Sequence, residues 1–217
     1  MGFFGSLLKG ETVLEEVTSP VNGKITVHKS LAWGTYLSVG NLTQSGGVVR
    51  DIWKSTLTKL KKENSDVKDC LILGIGGGSN AQLVRKFWQY SRITGIDFDQ
   101  VIVDLGKKYL GLDDINVKLI VSDAYEFVEN EAKFDHKYDL ILIDLYVGSE
   151  YPFVFESDEF IKHIKSLLHE QGRVIFNRLY SDEKRSSASK FGQKLEKTFS
   201  KVEYFYPQAN LMLICSY

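Results

Sequence analysis

Three aspartates, each placed where a buried strand gives way to a loop, are the residues of this chain best positioned to do chemistry. Asp97, Asp123 and Asp144 each lie at or just past the carboxyl end of a predicted strand. A carboxylate can accept two O–H bonds from a vicinal diol, accept from an exocyclic amine, or take a proton from a nucleophile. Ligands of parallel α/β sheets bind beyond those strand ends. The three side chains therefore predict a ligand site at one edge of a sheet.

A glycine-rich loop precedes these aspartates. Residues 70–73 form a short apolar run, typical of a strand covered on both faces, and Gly74–Gly78 follow it directly. Glycines allow φ > 0 and close approach of a ligand, and the next helix directs free N–H groups at the loop. The dinucleotide fingerprint is broken at Ser79, and no P-loop Lys-Ser or Lys-Thr follows. The remaining G-x-G-x-G pattern is typical of loops that hold a nucleoside with a short charged tail, and an ordinary turn is the alternative.

Each aspartate also has a purely structural interpretation. Asp97 follows the last loop glycine by 19 residues, close to the spacing of about 20 for a ribose-binding acid, but it could cap the strand end. Asp123 could accept from the adenine amine or cap the helix predicted from Ala124. Asp144 closes an apolar strand beside a long loop, where a carboxylate needs a partner. Asp99 is predicted to cap a helix, with a place in the pocket as the alternative.

Strands and helices alternate after the glycine loop. Strands are predicted at 70–73, 92–96, 117–121, 138–144 and 173–177, with helices at 81–90, 100–110, 124–129, 160–168 and 187–198. Two closing strands, at 202–206 and 211–215, flank a turn and predict an antiparallel hairpin. This order predicts an α/β fold with a doubly wound, mostly parallel seven-stranded sheet.

The first part of the chain is different in pattern. Short strand-like segments at 12–17, 24–28, 35–39 and 42–44 are separated by turn signals, and 48–62 shows helical spacing. We predict a small N-terminal β segment over 1–47, a helix and linker over 48–66, and a nucleoside-binding domain over 67–217. The apolar side chains of Phe3, Phe4, Leu7 and Leu8 are expected to pack on the body or on a partner.

Composition sets limits on partners and location. Among 217 residues, 43% are hydrophobic and 25% charged, with a formal net charge of -1, so no general attraction to nucleic acid or to anionic membrane is expected. No apolar run approaches the roughly 18 residues of a membrane span. Cys70 and Cys215 lie in apolar runs without a C-x-x-C pair, and the four histidines lack metal-ligand spacing. A cytoplasmic protein without a metal is the expectation.

The motifs together show a resemblance. The chain resembles the spermidine synthase-like branch of the class I S-adenosylmethionine (AdoMet)-dependent transferases, which have a Rossmann-like fold. The resemblance covers roughly residues 68–180 and is weaker over the N-terminal β segment. It is carried by the glycine loop, Asp97-Phe98-Asp99, Ser122-Asp123-Ala124, the strand at 138–144 and the segment at 159–177.

The resemblance implies a cofactor and a set of site residues. The cofactor would be AdoMet or decarboxylated AdoMet, contacted by Gly74, Gly76, Gly77, Gly78, Asp97, Phe98, Asp123, Ala124 and Asp144. The glycine loop would border the methionine-derived tail, Asp97 would hold ribose and Asp123 the adenine amine. Asp144 falls where aminopropyltransferases place an acid that helps to position and deprotonate the attacking amine.

The chain departs from that family pattern on the substrate side. Aminopropyl-transferring members usually carry Gly-Gly-Gly-Asp-Gly, and this chain has Gly77 at the Asp position. The missing carboxylate removes an interaction of about 1–3 kcal/mol with the amine of decarboxylated AdoMet. It also spares the carboxylate of intact AdoMet a like-charge neighbour. A Tyr-His-Glu cluster is absent at 50–53, and neither the usual Ser-Asp-Pro nor the Asn-Pro-Pro-Tyr motif follows Asp144.

The loop after Asp144 is rich in aromatic side chains. Transfer from a sulfonium mainly requires that nucleophile, carbon and sulfur be held in line. Asp144 and Tyr146 are therefore the candidate catalytic residues, with Asp144 orienting or taking a proton. Tyr146, Tyr151, Phe153 and Phe155 are either a lid that excludes water and cradles an amine, or simple packing of the loop onto the body.

Three functions are open at this point. Because of Gly77, methyl transfer from AdoMet to a small amine or hydroxyl acceptor is favoured. The first alternative is a polyamine aminopropyltransferase that uses decarboxylated AdoMet, and the second is a non-catalytic domain that binds a nucleoside or a partner. A homodimer is a further expectation, because small β appendages often dimerise proteins of this family.

Overall fold

The computed structural model describes residues 10–63 and 66–217. The segment that contains Phe3, Phe4, Leu7 and Leu8 lies outside the described residues. The N-terminal part forms a four-stranded antiparallel sheet in the order β1-β2-β3-β4. Its strands are β1 (Glu11–Ser19), β2 (Gly23–Ser30), β3 (Gly34–Val39) and β4 (Leu42–Gly46). Gly23 has a φ of 67°, which a glycine adopts at low cost, in agreement with the predicted Asn-Gly turn.

A single helix joins this sheet to the rest of the chain. Helix α1 (Gly47–Lys62) begins directly after β4 and buries one apolar face with Ile52, Trp53, Leu57 and Leu60. These positions recur with the spacing of one helix face, so the face packs onto the main sheet while charged residues remain in water. The helix therefore connects the small sheet to the main domain.

The main domain contains a seven-stranded sheet in the order β10-β11-β9-β8-β5-β6-β7. Its strands are β5 (Asp69–Leu73), β6 (Arg92–Asp97), β7 (Val117–Val121), β8 (Tyr138–Ile143), β9 (Leu168–Leu179), β10 (Lys201–Phe205) and β11 (Asn210–Ser216). Strands β5 to β9 pair in parallel, whereas β10 and β11 form an antiparallel hairpin against β9. The predicted fold class is confirmed.

Helices cover both faces of this sheet. They are α2 (Ser79–Phe87), α3 (Gln100–Leu110), α4 (Ala124–Glu131), α5 (Asp158–Ser166) and α6 (Arg185–Leu195). One apolar cluster lies between one face and α1, α2 and α3, and a second lies under the helices of the opposite face. The two layers together bury β5 completely, which explains why residues 70–73 carry no polar alternation.

Three predicted boundaries are wrong by three residues or more, and one of them is the end of α6, which lies at Leu195 instead of 198. Helix α2 ends at Phe87 instead of Tyr90, because Trp88 leaves the helical region and Arg85 donates to the carbonyls of Gln89 and Ser91. Strand β9 begins at Leu168, which was predicted to be helical, because Leu168 pairs with Tyr138 of β8. The spacing of apolar residues along the sequence does not reveal pairing with a distant strand, and so it could not predict where β9 begins.

Several negative findings apply to the described ranges alone. No helix within them is long and apolar enough to cross a bilayer. No group of three or more His, Cys, Asp or Glu side chains among the described residues is arranged to hold a metal ion. The homodimer and the cytoplasmic location stay predictions.

Candidate functional site

A cavity of about 430 Å³ lies beyond the carboxyl ends of β5 to β9. The small sheet and α1 form one side of it, which we call the upper wall (Asn22, Leu42–Gln44, Val48, Val49 and Ile52). The remaining lining comes from the main domain: Gly74, Gly76, Ile96–Phe98, Ile102, Ser122–Ala124, Asp144–Gly148, Pro152, Val154, Phe155, Asn177, Leu179 and Gln208–Asn210. All three aspartates predicted from strand ends are present in one cavity.

Asp144 is held by side chains from three other elements, α1, β9 and α2. Its Oδ2 accepts from Trp53 Nε1 at 2.8 Å, and its Oδ1 accepts from Asn177 Nδ2 at 2.8 Å. Asn80 donates as well. Burial raises the pKa of Asp144 above its usual range, and the three donors act in the opposite direction. The carboxylate is thus held in one orientation at the end of β8, ready to face a proton donor or a cation.

An amide relay extends this arrangement across the sheet. Asn210 Nδ2 on β11 donates to Asn177 Oδ1 on β9 at 2.7 Å, and Asn177 in turn donates to Asp144. Both asparagines are almost fully buried. Because the last acceptor in the chain is a carboxylate, the amide dipoles point their positive ends toward it, and the position of Asp144 depends on three neighbouring strands.

Asp97 fastens the glycine loop. Its Oδ2 accepts from the N–H of Gly76 at 2.7 Å, and its Oδ1 accepts from the N–H of Asp99 at 3.0 Å. Burial raises the pKa of Asp97 to about 6, although these backbone N–H groups lower it. The carboxylate therefore lies beside the loop and in the cavity, as a ribose-binding role requires.

The loop glycines do not all contact the cavity. Gly74 and Gly76 line it, whereas Gly77 and Gly78 lie outside the lining. A Cβ on Gly74 would lie 2.2 Å from the carbonyl oxygen of Asp144, so this glycine is required by close packing. A Cβ on Gly77 would lie 2.5 Å from Leu110 Cδ1 and 2.9 Å from Ser45 Oγ. Position 77 thus directs a side chain away from the cavity.

Asp123 performs the capping role and also borders the cavity. Its Oδ1 accepts from the N–H groups of Tyr125 at 2.7 Å and Glu126 at 3.1 Å, which makes it the N-cap of α4. Ala124 lines the cavity beside it, and so does Phe98, which is 42% exposed. The capping and ligand interpretations of Asp123 are therefore compatible in space.

Asp99 caps α3, as predicted, and it lies outside the cavity lining. It is 1% exposed, and its Oδ2 accepts from Ser19 Oγ and from Asn22 Nδ2, each at 2.6 Å. Ser19 and Asn22 belong to the β1–β2 turn. Asp99, two residues after Asp97, therefore attaches the small sheet to the main domain.

The aromatic loop divides into lining and packing residues. Tyr146 and Phe155 line the cavity, but Phe153 is 79% exposed and Tyr151 packs under the Arg178 guanidinium at 4.0 Å. The Tyr146 hydroxyl accepts from Leu179 N at 2.7 Å and donates to the Asn177 carbonyl, and burial raises its pKa. Tyr146 is thus a neutral, backbone-anchored phenol beside Asp144.

Ion pairs hold the same loop against β9 and α6. Glu156 pairs with the buried Arg178 at 2.6 Å, and the more exposed Glu150 pairs with Lys184 at 2.7 Å. Neither glutamate lines the cavity. The loop's carboxylates are therefore already neutralised on the outer side.

Sequence reasoning missed the donors that surround Asp144. Trp53 lies within the predicted helix at 48–62 and Asn177 at the end of the predicted strand at 173–177, and neither pattern indicates a contact with Asp144. The predicted strands at 138–144 and 173–177 end in Asp144 and Asn177. Because parallel strands end at one edge of a sheet, these two polar ends are the one sequence signal for a contact between them. The contribution of Gln44 and Asn22 to the upper wall has no local signal in the sequence.

A Rossmann-like sheet with carboxylates at the ends of β6 and β8 and a glycine loop between them defines the class of α/β proteins that hold a nucleoside at the carboxyl edge of the sheet. Residues 50–210 match the Spermine/spermidine synthase domain, and the chain belongs to that family.

Individual relatives are similar to the chain over different lengths. A Polyamine aminopropyltransferase of Pyrobaculum calidifontis is 26% identical over 179 residues, which are 78% of this chain and 62% of that protein. An eEF1A lysine and N-terminal methyltransferase homolog of Drosophila pseudoobscura pseudoobscura is 28% identical over 134 residues, 58% of this chain and 20% of that protein. The chain thus spans less than two thirds of the length of these curated relatives.

The solved structures agree on the fold. Spermidine synthase from Thermotoga maritima aligns with a TM-score of 0.77 at 18% identity, over 94% of this chain and 72% of that one. At that identity the likeness concerns the arrangement of both sheets and not the chemistry of the site.

Proposed function

We propose that the protein is an aminopropyltransferase that uses decarboxylated AdoMet as donor and a primary amine as acceptor. The carrying observation is the charge of the cavity. Of the described residues that line it, the charged ones are Asp97, Asp123 and Asp144, and none of that lining is basic. Decarboxylated AdoMet has a sulfonium and an ammonium, so it brings positive charge to three carboxylates. The tail carboxylate of intact AdoMet would meet like charge.

The residues present fit such a donor. Asp97 has its carboxylate beside the glycine loop, where it can accept from ribose hydroxyls, and Asp123 stands at the rim with Ala124 and Phe98. Gly74 and Gly76 line the same part of the cavity, where the tail would lie. Burial raises the pKa of Asp97 to about 6 in the free protein, so a cationic ligand would favour its ionised form.

The chemistry of the donor requires a neutral nucleophile in the acceptor position. When bound, decarboxylated AdoMet supplies an electrophilic methylene: the amine nitrogen forms a C–N bond, the C–S bond breaks, and sulfur keeps the electron pair in a neutral thioether. The acceptor amine must lose a proton. Asp144 can take or orient that proton, because its carboxylate is fixed by Trp53 and Asn177 while burial raises its pKa. Tyr146 bounds the same region as a neutral phenol.

Methyl transfer is the second candidate, and the sequence alone favours it because of Gly77. Two considerations weaken that argument. A side chain at position 77 would be directed at Leu110 and Ser45, so the absence of a carboxylate there changes little inside the cavity. The family match and the named relative from Pyrobaculum calidifontis also support the aminopropyl alternative. The Drosophila relative is the support that remains for methyl transfer.

Calorimetric titration with decarboxylated AdoMet and with AdoMet, side by side, tests the proposal. We expect the decarboxylated form to bind at least tenfold more tightly, which corresponds to about 1.4 kcal/mol. Incubation with amines should then yield 5′-methylthioadenosine. Formation of S-adenosylhomocysteine from AdoMet would replace the proposal by methyl transfer. Absence of binding to either nucleoside would favour the non-catalytic alternative.

A further inference from the structure

The carboxyl end of β9 presents consecutive side chains to opposite faces of the sheet. Asn177 donates to Asp144 on one face, and because side chains alternate along a strand, Arg178 points to the other face. There its guanidinium lies over the rings of Tyr151 and Phe191, 4.0 and 4.8 Å from their centroids. Arg178 is 5% exposed. A buried cation thus follows directly after the amide that holds Asp144.

This cation contacts the aromatic loop, residues 145–157, in its middle and at its end. The guanidinium lies over the Tyr151 ring, and its Nη1 lies 2.6 Å from Glu156 Oε1. The ring of Tyr151 in turn contacts the ring of Tyr146 edge to face, with centroids 5.4 Å apart. The position of Arg178 is therefore transmitted to the beginning of the loop as well.

The hydroxyl of Tyr146 is attached to the backbone on both sides of Arg178. It accepts from Leu179 N at 2.7 Å and donates to the Asn177 carbonyl at 3.3 Å. Burial raises the pKa of this hydroxyl, and it lies close enough to the guanidinium for the charge of Arg178 to act in the opposite direction. Tyr146 lines the cavity, whereas Arg178 does not. An effect of Arg178 on the reaction must therefore pass through the loop.

Stability alone does not explain a buried ion pair between Arg178 and Glu156. The cost of removing two charges from water can exceed their attraction, and apolar side chains of similar volume are often as stable. An arginine supplies in addition a rigid planar fork with five donors, which fixes several partners in one geometry. Arg178 thus has the properties of a group that orients the loop.

We propose that Arg178 is a positioning residue of the transfer reaction: it holds the aromatic loop against the cavity and thereby fixes Tyr146 beside Asp144. This role rests on the proposed function. Transfer requires nitrogen, carbon and sulfur in line, and a displacement of about 1 Å can slow such a step about 100-fold. Loss of the anchor should lower the turnover number and leave the nucleoside contacts of Asp97 and the glycine loop, which follow other strands, in place.

Hydrogen exchange of the ligand-free protein tests the anchor without turnover. Arg178→Met combined with Glu156→Leu removes both charges and leaves neither one buried alone. The amide of Leu179, whose acceptor is the tyrosine hydroxyl, should exchange at least tenfold faster in this variant. The control combines Lys184→Gln with Glu150→Gln, the more exposed ion pair of the same loop, and should change that rate less than threefold. An unaltered rate in the first variant, or equal changes in both, overturns the proposal.

Kinetics with decarboxylated AdoMet and 1,4-diaminobutane separate a positioning role from a structural one. In the variant with Arg178→Met and Glu156→Leu, the turnover number should fall at least tenfold, and the Kd for 5′-methylthioadenosine should change less than threefold. When Tyr146→Phe is added, the loss should stay well below the product of the separate losses, because both changes release the same ring. An unchanged turnover number, or fully multiplicative losses, overturns the positioning role alone. Absence of transfer by the wild type overturns the proposed function together with this role.

Tyr151 offers a matched pair of variants that keeps both charges. Its hydroxyl is buried without a hydrogen-bond partner among the described residues, so Tyr151→Phe retains the contact with the guanidinium and should leave the turnover number within twofold. Tyr151→Leu removes the cation–π contact and should lower the turnover number at least threefold. Equal turnover numbers in these two variants contradict the proposal.

Discussion

Replacing Trp53 by phenylalanine removes one hydrogen-bond donor from Asp144 and keeps an aromatic ring in the core. Trp53 is fully buried, and its Nε1 lies 2.8 Å from Asp144 Oδ2. A hydrogen bond to a charged group contributes about 1.5–3 kcal/mol to stability. Because this bond is short and shielded from water, we expect a value of about 2–3 kcal/mol at pH 7. The smaller ring adds a separate packing loss of about 1 kcal/mol.

A double-mutant cycle separates the two effects. Free energies of unfolding would be measured by urea denaturation for the wild type, Trp53→Phe, Asp144→Leu and the double variant. The packing loss is common to both arms of the cycle and cancels, so the interaction energy of about 2–3 kcal/mol remains. Leu57→Val, one turn along α1 and also buried, is the matched control and should show no coupling to Asp144→Leu beyond about 0.5 kcal/mol.

The pH dependence of the coupling has a defined sign. Burial raises the pKa of Asp144 above its ordinary value of 3.8, so the carboxylate acquires its proton at a pH higher than that as the solution is acidified. The charge-assisted part of the Trp53 bond should then disappear, and the coupling should fall at acidic pH. A coupling below about 0.5 kcal/mol at pH 7, or one that grows on acidification, would refute the assignment of an ionised Asp144 held by Trp53.

Three further predictions concern neighbouring groups. Burial raises the pKa of Asp97 to about 6, so the affinity for 5′-methylthioadenosine should fall about tenfold between pH 7.5 and pH 5, as measured by calorimetry. Asp97→Asn should abolish this pH dependence. A flat wild-type profile would contradict a ribose-binding carboxylate. Asp99→Ala should lower the free energy of unfolding, measured by chemical denaturation, by about 3 kcal/mol, because a helix cap is lost and two buried donors are left without an acceptor. A loss below about 1 kcal/mol would contradict the role of Asp99 in attaching the small sheet. Arg178→Leu should lower the free energy of unfolding by about 3–5 kcal/mol, because its partner Glu156 would remain as a mostly buried, unpaired carboxylate. Glu150→Gln, in the exposed pair with Lys184, should lower it by less than about 1 kcal/mol. Equal losses in the two variants would show that burial does not determine the contribution of these ion pairs.

Much of the site can be predicted from the residues that follow the predicted parallel strands. Asp97, Asp123 and Asp144 could be assigned to one cavity because parallel strands end at one edge, and apolar runs located those ends within a residue or two. The helix cap at Asp99 was equally local, since a cap depends on the next few residues alone. The part of the cavity that the main domain forms can therefore be predicted from short stretches of sequence.

The other half depends on contacts between distant parts of the chain. Trp53 and Asp144 are 91 residues apart, and Asn22 reaches Asp99 over 77 residues. Nothing in the pattern around Trp53 distinguishes an indole that donates to a carboxylate from one that only packs. The direction of position 77 was equally hidden, because it is set by how closely α3 approaches the loop: a Cβ on Gly106 would lie 2.5 Å from the Cα of Gly77.

The attachment of the small sheet through Asp99 has a consequence for the order of folding. The β1–β2 turn meets the main domain through contacts that span 80 residues at Ser19 and 126 residues at Asn22. Contacts of such separation close large loops and form after local structure is in place. The upper wall should therefore dock last on the folding pathway and detach first in sub-global opening, so amide hydrogen exchange in β1 to β4 would report on the same event that opens the ligand cavity.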